Sequence, residues 1–380
     1  MLAHSRKGLS TRVGRTLARV AVLVPFASAG ATAPAVAGAL APVRAVSIRV
    51  VAVKTGLSQP TAFTFTPGGA LWYVEKANGE IHTLNLKTRE DRLFTTIGGV
   101  NASGERGMLG IALHPGWPAK RFVYVYVTRT DGGVLVNEVL RIRADGGTPG
   151  AIKVLLRWRV TSATNHNGGR ILFGPDRTLY IVTGENANPS VSQRVANVRG
   201  KVLRILPNGG IPRSNPFDTR IWSFGHRNSF GMAFDPLTGR LWETENGPDC
   251  NDEINLIRRA GNFAWGSHAD CGSLTAPRDT NRDGPSPRLL PETYFRTTLG
   301  ITGAAFCDRC GLGAGLEGDL LFGEVKSSRL WHANIDATRT TISGRSVILS
   351  IGTVIYSMEV GPNNRIYFSG PTGIYRLAPA

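Results

Sequence analysis

Residues 169–182 read GRILFGPDRTLYIV: an apolar alternation, a turn built on Gly174, Pro175 and Asp176, then a second alternation carrying Tyr180. Period-2 spacing of this kind buries one face of a strand, and Gly, Pro and Asp supply the backbone angles of the turn, so the stretch predicts two adjacent β-strands. The same unit comes round at Ala62 (AFTFTPGGALWYV), Gly110 (GIALHPGWPAKRFVYVYV), Gly231 (GMAFDPLTGRLWET), Gly303 (GAAF, resuming as GDLLFGEV) and Ser357 (SMEVGPNNRIYFSG). Six copies spaced about 50 to 70 residues apart have the period of a multi-stranded blade, and the expected fold is an all-β, six-bladed β-propeller. In such a ring the loops at one mouth of the central channel are where functional side chains converge.

The chain has 380 residues, of which 42% are apolar and 8% aromatic, enough for a buried core. Residues 46–380 are expected to form one propeller domain and residues 1–45 a signal peptide. The leader has no acidic residue, begins with Arg6, Lys7, Arg12, Arg15 and Arg19, and continues through an apolar stretch to Phe26 into Ala/Gly-rich sequence. The apolar stretch is too short and too broken by Pro25 for stable membrane insertion, and the chain is expected to be exported, periplasmic or extracellular, after cleavage. Ser5-Arg6-Lys7 only partly matches a twin-arginine signal, which leaves the export route open. Cleavage removes six of the 44 basic residues and none of the 27 acidic ones, so the net charge falls from +17 but stays positive. These positive residues are scattered and no nucleic-acid signature accompanies them, which argues against a nucleic-acid partner.

Cys250, Cys271, Cys307 and Cys310 are the four cysteines. In an oxidising compartment they predict two disulfides; the simplest pairing is Cys250 with Cys271 and Cys307 with Cys310, among the three that four cysteines allow. A zinc site would need a second CxxC or histidines at ligand spacing.

Two polar runs interrupt the strand pattern just before strands: Thr164-Asn165-His166-Asn167-Gly168-Gly169 and Gly225-His226-Arg227-Asn228. His166, set among amides and glycines, is a candidate general base, and Arg227 a candidate for stabilising negative charge; a plain loop hydrogen bond is the competing role for His166. A third run, Glu245 to Asn255, gathers carboxylates and amide oxygens of the kind calcium takes, without EF-hand spacing. Composition alone fits a solvated acidic turn equally well.

Taken in order, GERGMLGIALHP (104–115), NHNGGRILFGPDRTLYIVTGE (165–185), GKVLRILPNGGIP (200–212), IWSFGHRNSFGMAFDP (221–236) and ENGPDCNDEINLI (245–257) with GNFAWG (261–266) resemble the glucose/sorbosone dehydrogenase family across almost the whole mature chain. The resemblance implies an exported propeller that oxidises the anomeric carbon of an aldose to a lactone, using pyrroloquinoline quinone (PQQ) and calcium and passing electrons to an external acceptor. It implies His166 as the base and Arg227 beside the reacting quinone oxygen. Asn228, Thr302, Lys326 and Glu105 become cofactor or substrate contacts, and the main-chain carbonyls of Gly247 and Pro248 hold the calcium. Asp252 and Glu253 are implied to hold a further, structural calcium.

Three positions depart from the pattern. Val354-Ile355-Tyr356 replaces an Arg-x-Arg pair in the last blade, removing two charge-assisted contacts of about 1.5 to 3 kcal/mol each to the quinone carboxylates unless Arg296, Arg309 or Arg329 compensates. Glu105 stands where glucose enzymes carry Gln. Asn165 stands where some members place an Asp to orient the base, which leaves His166 poorly fixed. The alternative function is a cofactor-free propeller that binds carbohydrate or protein; a hydrolase using the carboxylates of Asp249 to Glu253 is a remote third.

Overall fold

In the computed structural model, which describes residues 47–267, 271 and 283–380, the repeating alternations form six four-stranded antiparallel sheets. The first is β2 (Pro60–Phe65), β3 (Leu71–Glu75), β4 (Glu80–Leu84) and β5 (Asp91–Thr96). The second is β6 (Met108–Leu113), β7 (Phe122–Asp131), β8 (Val134–Asp145) and β9 (Thr148–Arg159), and the third is β10 (Gly168–Phe173), β11 (Leu179–Thr183), β12 (Lys201–Ile205) and β13 (Ile221–Phe224). The fourth is β14 (Ser229–Phe234), β15 (Leu241–Glu245), β16 (Asp252–Leu256) and β17 (Thr293–Phe295), and the fifth is β18 (Ile301–Phe306), β19 (Leu320–Glu324), β20 (Arg329–Ile335) and β21 (Ile342–Ser350). The sixth combines β22 (Ser357–Val360), β23 (Ile366–Gly370) and β24 (Gly373–Pro379) with β1 (Ile48–Thr55), the earliest strand of the propeller, so the ring closes by pairing its two ends.

Each sequence repeat is the first two strands of a sheet. The six first strands, β2, β6, β10, β14, β18 and β22, touch in succession and β22 returns to β2, which makes them the wall of the central channel. The glycine that opens most repeats now has a cause. A Cβ on Gly110 would lie 2.2 Å from the Gly169 carbonyl oxygen, one on Gly231 2.3 Å from that of Thr302, and one on Gly303 2.4 Å from the Met358 nitrogen. Only glycine lets neighbouring innermost strands approach this closely. The first five innermost strands also carry a register shift near their start, which bends them away from regular pairing where they meet the channel mouth.

The apolar faces pack sheet against sheet around the ring. Trp72, Ile81 and Phe94 of the first sheet meet Ile111, Val125 and Leu140 of the second, and corresponding clusters join the later pairs. Cys250 pairs with Cys271 and Cys307 with Cys310, with Cα atoms 5.8 and 5.0 Å apart. No helix among the described residues is long and apolar enough to cross a membrane. The expected signal peptide lies outside the described residues.

Candidate active site

Antiparallel topology sorts the loops. Those leading into each first strand, and those joining second to third strands, open on one mouth of the channel; every candidate residue falls on one of these loops or at the strand end beside it. Glu105, His166, Arg227, Asn228 and Thr302 come from the first kind, and Gly247, Pro248 and Lys326 from the second.

His166 has φ 57°, a left-handed conformation that costs a non-glycine residue on the order of 1 kcal/mol and persists only where its surroundings dictate it. They do. Its main-chain N–H donates to Glu105 Oε2 at 2.7 Å, and its carbonyl accepts from the Asn186 main-chain N–H at 3.0 Å and from Asn186 Nδ2 at 2.9 Å. Its Nδ1 is 2.5 Å from Glu185 Oε1. With Nδ1–H committed to that carboxylate, Nε2 is the nitrogen left to take a proton. The expectation that Asn165 leaves the base poorly fixed is therefore corrected: Glu185, fully buried just beyond β11, orients the ring, and also accepts from the Asn188 N–H.

Glu105 does more than its expected role beside the substrate. The same Oε2 accepts from Asn228 Nδ2 at 3.0 Å, so one oxygen ties the His166 loop to the next sheet's leading loop. The Glu105 loop is held by Lys76, whose ammonium donates to the carbonyls of Ala102 (3.2 Å) and Gly104 (2.6 Å). Arg106 donates to three successive carbonyls, of Thr161, Ser162 and Ala163, fixing the approach to His166.

Arg227 is partly buried. Its main-chain N–H donates to Glu245, Nη1 donates to the Asn246 carbonyl at 2.9 Å, and the guanidinium lies 5.4 Å from the Trp265 ring centroid. Burial lowers its pKa, with Glu185, Glu245 and Glu105 opposing. The Glu185 N–H donates to the Arg227 carbonyl at 3.0 Å, so the base loop and the arginine loop are directly joined. Arg227 Nε and Asn228 Oδ1 are buried and lack a partner among the described residues.

The loop after β15 is tight: a Cβ on Gly247 would sit 1.9 Å from the Cys250 carbonyl oxygen, and Cys250 is itself anchored to Cys271. Asp252 organises it, Oδ1 accepting from the Gly247 N–H at 3.0 Å and Oδ2 from the N–H groups of Leu299 (2.7 Å) and Gly300 (2.6 Å). Behind it Glu243, Glu245 and Glu253 lie on one face of β15 and β16 with the buried His226. Burial pushes Glu243 and Glu245 up to about 7 and raises Glu253 well above the ordinary carboxylate range. Carboxylates gathered this far from water call for a cation or protons.

Thr302 is buried and donates its hydroxyl to the Ile355 carbonyl at 2.6 Å; Lys326 donates to the Thr298 hydroxyl. The proposed substitutes for the missing arginine pair divide by topology. Arg296 and Arg329 are exposed on the site's side, whereas Arg309 follows β18 at the opposite mouth, where it pairs with Asp308 at 3.0 Å. Arg309 is thereby excluded. Sequence reading missed Glu185, and placed Glu245 in the acidic run without its pairing to His226; the available signal was a glutamate recurring at or just past the second strand of four repeats, Glu75, Glu185, Glu245 and Glu324.

The chain is 25% identical to aldose sugar dehydrogenase YliI of Escherichia coli, over 84% of this chain and 89% of that one. It is 29% identical to quinoprotein glucose dehydrogenase B of Acinetobacter calcoaceticus, over 56% of this chain and only 51% of that one, so it spans about half of that relative. Among solved structures, the PQQ-bound aldose sugar dehydrogenase of Streptomyces coelicolor superposes with a TM-score of 0.73 at 27% identity, covering 87% of this chain and 97% of that one. The glucose/sorbosone dehydrogenase family model matches residues 57–373, nearly the entire propeller, and the chain belongs to that family.

Proposed function

We propose that this protein is an exported sugar dehydrogenase that oxidises the anomeric carbon of an aldose to a lactone, with PQQ and calcium as its cofactors. The observation that carries the reading is the His166–Glu185 pair. It is a buried, carboxylate-oriented imidazole whose second nitrogen has no partner among the described residues, joined through main-chain bonds to the Arg227 loop.

The residues present fit the cofactors. Arg227 Nε and Asn228 Oδ1 are buried polar atoms lacking a partner among the described residues, and Lys326 and Arg227 supply positive charge for a tricarboxylate. The Gly247 and Pro248 carbonyls would hold the calcium, and the buried carboxylates around Glu253 suit a second, structural ion. PQQ, when bound, would supply the acceptor for the hydride of the sugar carbon, and calcium the polarising charge. His166 Nε2 removes the proton of the anomeric hydroxyl as that hydride leaves, so the sugar loses two electrons and two hydrogens. Glu185 holds the resulting imidazolium, and Arg227 places a fixed positive charge where negative charge develops. The two disulfides fit an oxidising compartment.

The test is reconstitution of the purified chain with PQQ and calcium, followed by dye reduction with a panel of aldoses. The expected result is aldose-dependent dye reduction that requires both additions. Absence of dye reduction together with no PQQ-induced absorbance change would overturn the reading in favour of a binding module.

A further inference from the structure

Arg170 has no part in the chemistry described above, yet its side chain crosses the channel. It lies near the start of β10, where Gly168 pairs with Thr183 and Ile171 with Ile181, so it falls in the irregular stretch between two registers. Its Nη2 donates to the Tyr356 carbonyl at 3.2 Å and to the Thr61 carbonyl at 3.4 Å. In the ring of first strands β10 stands between β6 and β14, whereas Tyr356 leads into β22, on the opposite side, and Thr61 belongs to β2, next to β22. A bond from β10 to either carbonyl has to span the lumen.

The guanidinium lies at the level of the site. Tyr356 is on the loop leading into a first strand and Thr61 is near the start of one, so both carbonyls stand at the mouth that carries His166 and Arg227. Thr302, an expected cofactor contact, donates to the Ile355 carbonyl at 2.6 Å, so Thr302 and Arg170 hold consecutive carbonyls of one loop. That loop, Val354 to Tyr356, is the one from which the arginine pair is missing.

The charge has no counter-ion beside it. Arg170 is 7% exposed, and no carboxylate lies within ion-pair distance of it among the described residues, whereas Arg129, Arg157, Arg204 and Arg339 each have one. Its Nε and Nη1 have no hydrogen-bond partner among the described residues. Glu359, the acid that acts on it from further off, lines a cavity of about 270 Å³ toward the opposite mouth, and burial pushes Glu359 itself up to about 7. A guanidinium stays protonated at neutral pH, and holding one away from water without an anion is costly unless a ligand brings the anion.

We propose that Arg170 is a cofactor-binding residue, its guanidinium reaching across the channel from the third blade to bond a carboxylate of PQQ where the sixth blade lacks its arginine pair. This rests on the dehydrogenase reading.

The test is titration of the chain with PQQ in the presence of calcium, followed by absorbance and calorimetry, beside PQQ trimethyl ester, which has the same rings without the three charges. Arg170→Met is expected to bind PQQ about ten- to a hundredfold more weakly than the parent chain and the ester no more weakly. Arg170→Lys, which keeps the charge but not the fork, should fall between. Without PQQ the Met variant should melt at or above the parent midpoint, since a buried charge lacking an anion has been removed, and PQQ should raise that midpoint less than it raises the parent's. Arg170→Gln, which keeps an N–H for the two carbonyls, replaces the Met variant if that chain does not fold. Unchanged PQQ affinity in the uncharged variant, or an equal loss for PQQ and its ester, would overturn the proposal while leaving the dehydrogenase reading intact. A parent chain that binds no PQQ would overturn both.

Discussion

The third and fourth blades contain the same device with opposite outcomes. In each, a histidine on the loop leading into the first strand bonds through Nδ1 to a glutamate 19 residues later, beside the second strand: His166 to Glu185 at 2.5 Å and His226 to Glu245 at 2.9 Å. The two differ in what meets Nε2. That of His226 is taken by the Ser223 hydroxyl at 2.8 Å, and its ring stacks on Phe263 at 4.6 Å with none of its surface exposed. His166 has no such second partner among the described residues and keeps a small exposed edge at the channel mouth. An imidazole held by a carboxylate is thus a structural post when both nitrogens are satisfied, and has a nitrogen free for a proton when one is left open.

This contrast can be broken most sharply by exchanging losses. His166→Ala should lower kcat by about 10² to 10⁴, with the melting midpoint close to that of the parent chain. His226→Ala should do the reverse, destabilising the fold by about 1 to 3 kcal/mol through stranded buried partners. If His166→Ala instead melts early and His226→Ala does not, the two roles are misassigned. Glu185→Gln, which keeps shape but not charge, should cost turnover on the order of 10². Glu245→Gln weakens the acceptor of both His226 and the Arg227 N–H and should show first in the melting curve.

Calcium should act on the fourth blade only. Addition of the ion to the chelated chain is expected to raise its stability by about 2.7 kcal/mol at a concentration one hundred times Kd, and Glu253→Gln should diminish that gain. An identical melt with and without chelator would remove calcium from this loop. The smallest effect is in pH. Burial holds His226 down at about 4 against an ordinary 6.5, so between those values the unfolded chain takes up a proton that the folded chain refuses. The stability contributed by neutral His226 is full above pH 6.5 and is lost as pH falls toward 4. His226→Asn should flatten that part of a plot of melting midpoint against pH.

The ring was legible because the repeat has a physical reason at nearly every position: alternation for the sheet faces, Pro and Asp for the turns, glycine where innermost strands touch. His166 and Arg227 were legible too, since a polar run before a strand has no packing purpose. Glu185 and Glu245 were not. Glu185 alone at the end of a strand looks like an ordinary turn residue and Glu245 like one more member of an acidic run, and the meaning of each depends on a partner almost twenty positions back. Nor could the sequence say that Asn228 and His166 share one oxygen of Glu105, because that contact joins residues 123 positions apart.

Pairing of β1 with β24 has a consequence for biogenesis. The earliest strand of the propeller finds its neighbour in its last strand, and the Ala380 N–H donates to the Ser47 carbonyl at 2.7 Å. A nascent chain therefore holds a ready strand with no mate until the last strand of the propeller has been made, and five completed sheets wait on that closing segment. Affinity tags fused directly after Ala380 would press on this clasp, so a spacer there, or a tag placed elsewhere, is the sounder choice for producing the protein.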